Sequence, residues 1–278
     1  MFGTRRALLG GNALDPDALA YFAKAGISDV TAKSQINSFV KQVKGLGLWS
    51  NMVCWPLRSS QNNGSSNTQI SLGGLGNYPL VLANSPLISS TGLGFNGTNQ
   101  YAKCSQSGAQ LKASNYPNAA QIAVFNPASN TQSYSMIFGQ EDASTQLYGM
   151  MRKNASGNDV FTSWCSAAGN PNVTSVPSYM NYGAFNVVYN RVSPTQGYIN
   201  LNNATEQATS AFSSYPYVSD QSHDVVGFGA RTILQTPAYF ATMTASFGAF
   251  IGTTTSATQM TNLYTLYKNT LGQGLALP

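Results

Sequence analysis

The sequence is short of charge, cysteine and histidine. Charged residues make up 8% of its 278 positions, against roughly 25% in an ordinary globular protein. Cys54, Cys104 and Cys165 are far apart, and His223 is the one histidine, so the paired ligand spacing of a zinc site is missing. A single disulfide would leave one thiol over, and we favour three free, mostly buried thiols of a protein made in a reducing cytoplasm. The composition predicts no metal and no cofactor.

The chain also lacks the features of a membrane protein or a nucleic-acid-binding protein. No apolar run approaches the roughly 18 residues of a membrane span. The apolar part of the N-terminus is shorter than the roughly seven to fifteen residues of a signal peptide. The net charge is +5, but the 14 lysines and arginines are scattered and no stripe of cations could follow a phosphate backbone. We therefore expect no membrane and no nucleic-acid partner.

Polarity comes instead from neutral residues. Asparagine, glutamine, serine, threonine and tyrosine are abundant, together with 26 glycines, and the hydrophobic content of 42% is enough for a proper core. Neutral hydrogen-bonding surfaces can pack together without desolvating ions. Such a composition is typical of secreted β-proteins and of large assemblies.

The N-terminal residues 1–14 read as a flexible arm, because glycines surround a few apolar and basic residues. These residues cannot form a core of their own, so we expect them to be flexible or to become ordered by docking on a neighbouring subunit. The predicted assembly residues of the arm are Phe2, Arg5, Arg6, Leu8 and Leu9.

Residues 15–48 predict a helical hairpin. Asp15 and Pro16 are a preferred N-cap and first helical residue, Gly26 can end the first helix, and Ser28-Asp29 marks a second helix start. The second helix then carries apolar residues at i, i+3, i+4 and i+7, which form one apolar face. These residues are Ile36, Phe39, Val40 and Val43.

Residues 49–278 predict a mainly β fold, an antiparallel β-sandwich of the jelly-roll type. A dozen or so short alternating runs are separated by glycine, asparagine, proline and serine. Asn96-Gly97 predicts a tight hairpin that pairs Leu93 and Phe95 with Tyr101, and further turns are expected at 154–158 and at Asn202-Asn203. The chain closes with a short helix that has a capping box at Ser256 and Gln259 and a glycine C-cap at Gly272.

Three segments resemble the concanavalin A-like lectin/glucanase superfamily, in particular its laminin-G-like and pentraxin-like domains. GLGFNGTNQYAKC resembles a hairpin near the start of those domains. YNRVSPTQGYINLNNATEQA resembles a later hairpin, with Asn202-Asn203 in place of the usual Asp-Gly. VVGFGAR and the segment up to TNLYTLYK are similar to the family's ending. The resemblance covers about residues 50 to 270 and implies a concanavalin A-like sandwich.

The segment before the sandwich is similar to a helical preface found on many predicted bacteriophage virion proteins. The similar stretch reads DPDALAYFAKAGISDVTAKSQINSFVKQVKGLGLWSNM. The matching positions are Asp15, Asp17, Ala18, Ala23, Gly26, Ile27, Asp29, Thr31, Ile36, Asn37, Val40, Lys44, Gly47, Leu48 and Trp49. This resemblance implies a phage structural protein.

The residues give little support for an enzyme. The superfamily's glucanases need two carboxylates that converge on one glycosidic bond, whereas Glu141 and Asp142 are adjacent and point to opposite faces of a strand. His223 lies near Asp220 and Asp224, but no G-x-S-x-G elbow accompanies it. The same aspartates are weak candidates for the calcium site of laminin-G-like relatives. We therefore predict that the chain is not an enzyme and has no metal site.

Sugar binding is the remaining chemistry that the resemblance suggests. Lectins of this kind stack exposed aromatic rings on sugar faces and flank them with polar donors. Tyr148, Arg152 and Trp164 lie on neighbouring predicted strands and are the candidate glycan contacts. The alternative is that Tyr148 and Trp164 belong to a core or an interface.

The main hypothesis is a bacteriophage virion structural protein, either a capsid decoration or a tail component, that acts by protein–protein binding. Its partners would be other virion subunits in a homo-oligomer, and its location the virion, assembled in the host cytoplasm. The arm and the helical hairpin would anchor it, so deletion of residues 1–48 should leave the sandwich folded. The alternative is a carbohydrate-binding adhesin that recognises a host-surface glycan.

Overall fold

The structure is a computed structural model. It describes residues 13–64, 67–104, 119–128, 134–141, 147–155, 158–167, 170–177, 181–193, 196–202, 204–208, 225–233 and 236–278. It describes the backbone alone at 134, 140–141, 147–155, 158–167, 170–177, 225–226, 231–233 and 236. The predicted arm lies outside the described residues except for Ala13 and Leu14.

In the part of the chain that the structure describes, three α-helices flank a set of strands. The helices are α1 (Pro16–Lys24), α2 (Val30–Gly45) and α3 (Ala257–Asn269), with a short 3-10 helix at Trp49–Asn51. The strands are β1 (Met52–Pro56), β2 (Thr68–Gln69), β3 (Leu80–Ala83), β4 (Leu87–Ile88), β5 (Leu93–Asn96), β6 (Tyr101–Cys104), β7 (Ala119–Pro127), β8 (Tyr134–Glu141), β9 (Leu147–Ala155), β10 (Asn158–Ala167), β11 (Asn170–Pro177), β12 (Asn186–Val192), β13 (Gly197–Leu201), β14 (Gln207–Ala208), β15 (Val225–Phe228), β16 (Arg231–Ile233), β17 (Thr236–Ala238) and β18 (Thr242–Ile251).

The strands form two eight-stranded antiparallel sheets and one two-stranded ribbon. The first sheet has the order β14-β13-β12-β7-β18-β5-β4, with β1 also paired to β18. The second has the order β11-β10-β9-β8-β15-β6-β3-β2, and β16 pairs with β17. The predicted mainly β, antiparallel sandwich with N-terminal helices and a short C-terminal helix is therefore confirmed.

The first core lies between the two sheets. Trp55 of β1 contacts the rings of Phe138 and Phe228 on the second sheet, with centroid distances of 6.0 and 6.1 Å. Phe138 and Phe228 stack on each other at 4.4 Å. The Trp55 indole N–H donates to the carbonyl of Tyr78 at 2.7 Å, which satisfies the one polar group of this fully buried side chain.

A second core lies between the outer face of the first sheet and the three helices. Phe39 of α2 meets Phe247 of β18 edge to face at 5.8 Å, and Phe247 also contacts Tyr267 of α3 at 4.6 Å. Strand β1 is therefore buried at every position, whereas β6 on the second sheet alternates between buried and half-buried residues. A strand covered on both faces loses the alternation that marks a half-buried strand.

This second core corrects the predicted role of the helical hairpin. The apolar face of α2 packs on the chain's own sheet, so it is not available to anchor the protein to a neighbouring subunit. An apolar helix face shows that something covers it, but its sequence does not say whether the cover belongs to the same chain. Whether the boundary between residues 48 and 49 separates folding units stays a prediction.

The helix ends follow the predicted caps, with one exception. The carboxylate oxygens of Asp15 and Asp29 accept backbone N–H groups of the first turns of α1 and α2, and Gly26 has a φ of 64°. Ser256 and Gln259 form the predicted capping box of α3. The prediction of Gly272 as C-cap is wrong, because α3 ends at Asn269 and Thr270 is its C-cap.

The Asn96-Gly97 turn does not make the predicted hairpin. Strand β5 pairs with β18 and β4 in the first sheet, whereas β6 pairs with β15 and β3 in the second. The turn is thus an arch that crosses from one sheet to the other. The predicted turns at 154–158 and near Asn202 do join paired strands, β9 with β10 and β13 with β14.

The structure also bears on the cysteines, on membrane-spanning helices and on metal ligands. Cys54 and Cys104 are buried, and burial raises the pKa of the Cys54 thiol, whereas the Cys165 side chain lies outside the described part. No described helix is long and apolar enough to cross a membrane. Among the described residues, no group of three or more histidines, cysteines, aspartates or glutamates is placed to hold a metal ion.

Candidate functional site

The structure places only the backbone of the predicted glycan contacts. Strand β10 pairs with β9 so that Cys165 is opposite Tyr148 and Trp164 is opposite Gly149. Successive positions of a strand alternate between its faces, so the positions of Tyr148 and Arg152 share one face and that of Trp164 lies on the other. A joint contact of all three residues with one sugar stays a prediction, and the register favours two separate groups.

The other sequence candidates lie outside the described residues or at their edge. The arm residues Phe2 to Leu9 and the cluster around His223 are not described. The backbone of Glu141 ends β8, and Asp142 lies outside the described part. The predictions that rest on these residues stay predictions.

The described residues point to a different surface, at the arch between β5 and β6. The side-chain oxygen of Asn96 accepts the backbone N–H groups of Thr98, Asn99 and Gln100 at 2.9, 3.1 and 3.2 Å. Its amide N–H donates to the side-chain oxygen of Asn99 at 2.9 Å. Asparagine bonds of this kind stabilise turns from within, so the tip of the arch is fixed although it is exposed.

A second turn, after β3, is tied to the arch. The Asn84 amide donates to the carbonyl of Asn99 at 2.7 Å. The Gln100 amide donates to the carbonyls of Asn84 and Ser85 at 3.1 and 3.0 Å. Asn84 and Ser85 have φ values of 58° and 53°, in the left-handed region that non-glycine residues seldom adopt. These bonds hold exposed polar groups in defined positions.

A third element, the turn before β18, brings aromatic rings to the same end of the sandwich. Thr242 pairs with Asn96, and the rings of Phe240 and Tyr101 lie 6.2 Å apart. Tyr239 is 40% exposed and has a φ of 51°. The backbone N–H of Met136 donates to the Tyr239 carbonyl at 3.0 Å, which helps to keep this unfavourable conformation.

Backbone strain is concentrated at this end. Four described non-glycine residues have a positive φ, and three of them are Asn84, Ser85 and Tyr239, the fourth being Asn202. Each such residue costs of order 1–3 kcal/mol, and strain of this kind clusters at binding sites. For a bulky residue such as tyrosine the conformation is a genuine outlier.

We call these residues the arch surface. It combines an exposed tyrosine, a pair of contacting rings and amide groups fixed by hydrogen bonds, and none of its members is an acid or a base of the lysine or arginine type. Such a surface can stack on an apolar face and exchange neutral hydrogen bonds with hydroxyl groups. Its members are Asn84, Ser85, Asn96, Thr98, Asn99, Gln100, Tyr101, Tyr239 and Phe240.

A small cleft between α1 and the glycine-rich loop after β2 is a weaker candidate. Its volume is about 160 Å³, and Asp17, Lys24 and Trp49 are among its lining residues. The Trp49 indole N–H donates to Asp17 at 2.9 Å, and the Lys44 ammonium lies 2.7 Å from both Asp15 and Asp17. The carboxylate that faces this cleft is therefore already satisfied within the protein, which leaves it less able to bind a ligand.

The hydrogen bonds and ion pairs around Lys44 also shift the pKa values of Asp15 and Lys44. Burial alone would raise the pKa of Asp15, but the hydrogen bond and charge of Lys44 and two backbone N–H groups outweigh it and lower that pKa. Burial would lower the pKa of Lys44, and its bonds to Asp15 and Asp17 raise it instead. Both shifts favour the ion pair, which ties α1 to α2.

A third polar cluster, at the β12–β13 edge of the first sheet, is also structural. The Arg191 guanidinium makes a fork of two hydrogen bonds to Glu206, at 2.8 and 2.5 Å, and lies 3.6 Å over the ring of Tyr198. Both charged side chains are 15% exposed. Because Arg191 and Glu206 neutralise each other, this cluster has no charge to offer a ligand.

Comparison with known proteins identifies the fold and no family. No protein-family model and no curated protein matches the sequence. Among solved structures, the chain is similar to a mutant of Trypanosoma rangeli sialidase displaying trans-sialidase activity, with a TM-score of 0.59 and 13% identity over 87% of this chain and 38% of that chain. It is similar to Trypanosoma rangeli sialidase in complex with sialic acid, with a TM-score of 0.55 and 14% identity over 86% of this chain and 40% of that chain.

The Ruminococcus gnavus IT-sialidase CBM40 bound to alpha2,6 sialyllactose is a more distant match. Its TM-score is 0.45 and its identity 10%, over 56% of this chain and 90% of that chain. The chain spans about 40% of the length of the Trypanosoma rangeli sialidases. Its likeness to those sialidases shows a shared β-sandwich fold.

These comparisons contradict the prediction that the chain is not an enzyme. Solved structures that share its fold include sialidases, so the fold does not exclude catalysis. The prediction tested for paired carboxylates and for a Ser-His-Asp group, and these two arrangements do not cover every glycosidase chemistry.

The sequence pattern did not reveal the arch surface. Asn96 and Gly97 marked a turn, but Asn84, Ser85 and Tyr239 carried no signal beyond the nearby prolines of NSP and QTPAY. A left-handed tyrosine has no sequence signature, because its conformation is imposed by the strands on either side of it.

Proposed function

We propose that the chain is a carbohydrate-binding β-sandwich protein whose ligand contacts lie on the arch surface. The observation that carries the proposal is Tyr239, which is 40% exposed and has a φ of 51°, on the turn before the strand that pairs with Asn96. Pyranose rings offer an apolar face to an aromatic ring and hydroxyl groups to amide donors and acceptors. Because the amides are already positioned, the protein loses little conformational freedom on binding.

The shared fold supports this proposal over one based on protein–protein binding alone. A sialidase that matches 86% of this chain was solved in complex with sialic acid, so sugars are among the ligands of proteins that contain this sandwich. The chain's neutral, hydroxyl- and amide-rich composition also suits a sugar better than an ionic partner. The carbohydrate-binding alternative thus replaces virion assembly as the leading hypothesis.

A bacteriophage virion remains our proposal for where the protein acts, and a host-surface glycan for what it meets there. Its support is the resemblance of residues 15–49 to the helical preface of phage virion proteins. The buried face of α2 has removed the argument from anchoring. Detection of the chain in purified phage particles by mass spectrometry would support this setting, and its absence from intact particles would contradict it.

Binding to a glycan array, followed by calorimetry on the best ligand, tests the proposed function. Tyr239→Ala should weaken binding by about 5- to 30-fold, since an aromatic contact contributes about 1–2 kcal/mol. Tyr182→Ala is the matched control, because Tyr182 is exposed to a similar degree, 36% against 40%, and lies outside the arch surface.

Three outcomes would contradict the proposal. Binding could be absent for every glycan, or equal for wild type and Tyr239→Ala. Loss of binding in Trp164→Ala with retention in Tyr239→Ala would move the site to β9 and β10, as the sequence predicted.

A further inference from the structure

A groove runs along the side of α2 that faces away from the sheet. Its volume is about 530 Å³, and its lining includes Leu14, Val30, Lys33 and Lys41. Val30 is 79% exposed and Leu14 is 43% exposed, an unusual degree for large apolar side chains beside a concave surface. The groove is separate from the arch surface and has no part in the proposed function.

The two charged residues that line the groove are both lysines. Lys33 and Lys41 form no ion pair with a described carboxylate. The Lys41 ammonium donates to the carbonyl of Ala13 at 2.7 Å, a neutral acceptor that leaves its charge uncompensated. Asp15 and Asp17 are committed to Lys44. The ammonium groups of Lys33 and Lys41 are eight residues apart on one helix, which corresponds to about 12 Å along its axis.

We propose that this groove docks an acidic segment of a partner protein that also carries leucine-like side chains. Apolar side chains of the segment would cover Leu14 and Val30, and two of its carboxylates would pair with Lys33 and Lys41. A helical or extended peptide can present acids about 12 Å apart with apolar residues between them. Charge complementarity of this kind sets orientation and association rate.

The same charges argue against other occupants. Residues 1–12 contain Arg5 and Arg6 and no acid, so the chain's own arm would bring like charge into the groove. A second copy of α2 would place lysine against lysine. Two ammonium groups are too few for a nucleic-acid surface, which neutralises a row of phosphates, and two aliphatic side chains are too few for a membrane-surface helix.

The test measures binding of short labelled peptides to the full chain by fluorescence anisotropy. One peptide contains glutamate and leucine, and its control has glutamine in place of each glutamate. We expect saturable binding of the acidic peptide, about tenfold weaker for the glutamine peptide and for the double variant Lys33→Glu, Lys41→Glu, as two exposed charge pairs would give. Lys24→Glu, an exposed lysine outside the groove, should bind like wild type.

Several results would overturn the proposal. They are no saturable binding of the acidic peptide, equal affinity for the two peptides, or an equal effect of Lys24→Glu. Tighter binding to duplex DNA or to anionic vesicles at the same salt concentration, lost in the double variant, would assign the groove to that ligand instead. A dimer that the double variant loses, seen by sedimentation, would make a second copy the occupant.

Discussion

The left-handed conformation of Tyr239 leads to a specific prediction. An alanine variant is usually more stable than a glycine variant, and at this position the order should be reversed. With a φ of 51°, an alanine at this position would keep a strain of about 1–2 kcal/mol that glycine does not feel. Glycine in turn costs about 0.4–1 kcal/mol through the greater freedom of the unfolded chain. The difference leaves Tyr239→Gly more stable than Tyr239→Ala by about 0.5–1 kcal/mol.

The loss of the tyrosine ring does not contribute to the stability difference between the two variants, since both variants remove the ring. For a chain of this length the expected separation in Tm is about 1–3 °C, measured by scanning calorimetry under identical conditions. The two variants should lose the same fraction of glycan affinity, because the ring and not the backbone contacts the sugar. Tyr182, which is not among the residues of positive φ, gives the control pair, and there alanine should be the more stable variant.

Two results would contradict this account of Tyr239. If Tyr239→Ala proved as stable as Tyr239→Gly or more stable, the residue would not occupy the left-handed region, and the strain that singles out the arch surface would be absent. If glycine rescued stability but one variant alone lost glycan affinity, the contact would depend on the backbone and the proposed stacking would be wrong.

Three further predictions concern stability. Arg191→Met should destabilise the protein by about 2–4 kcal/mol in urea unfolding, because it leaves the largely buried Glu206 without its partner; an unchanged midpoint would show that the pair contributes nothing. Phe39→Ala should cost about 3–5 kcal/mol by opening a cavity against the first sheet, whereas a hairpin that folded apart from the sandwich would leave the main transition unchanged. The pKa of Asp15 is lowered by folding, so the unfolded state binds protons more readily and stability should fall as the pH drops below about 4; Lys44→Met should weaken this dependence, and an identical pH profile would exclude the ion pair as its source.

Features that depend on neighbouring residues were predictable from the sequence. Asp15, Asp29 and Ser256 indicated where α1, α2 and α3 begin, because an N-cap acts on backbone groups two or three residues away. The apolar spacing from Ile36 to Val43 identified the buried side of α2 in the same way. The prediction of Gly272 as a C-cap was wrong because a glycine permits a helix to end but does not force it to end there.

Features that depend on distant residues were not predictable. The Asn96-Gly97 pair specifies a turn and leaves the partners of the following strand open, so an arch between sheets looks like a hairpin in the sequence. The exclusion of an enzyme was wrong for a different reason, since it rested on the lack of paired carboxylates and of a Ser-His-Asp group in a chain whose fold is shared by solved sialidases. That Tyr148, Arg152 and Trp164 contact one sugar together stays a prediction, and the strand register, which the sequence does not give, places the position of Trp164 on the other face from the first two.

Local sequence patterns were enough to predict where the helices begin, that the middle of the chain forms antiparallel strands, and that neutral polar groups are abundant on its surface. The three-dimensional arrangement was needed to show that the first sheet is covered on both faces, that residues 96–100 cross between sheets, and that Tyr239 has a positive φ. The two groups of features differ in the range over which the residues act on one another. Caps, turns and side-chain alternation act over a few residues, whereas the pairing of strands and the burial of a helix face are settled by residues more than a hundred positions apart, such as Phe39 and Phe247.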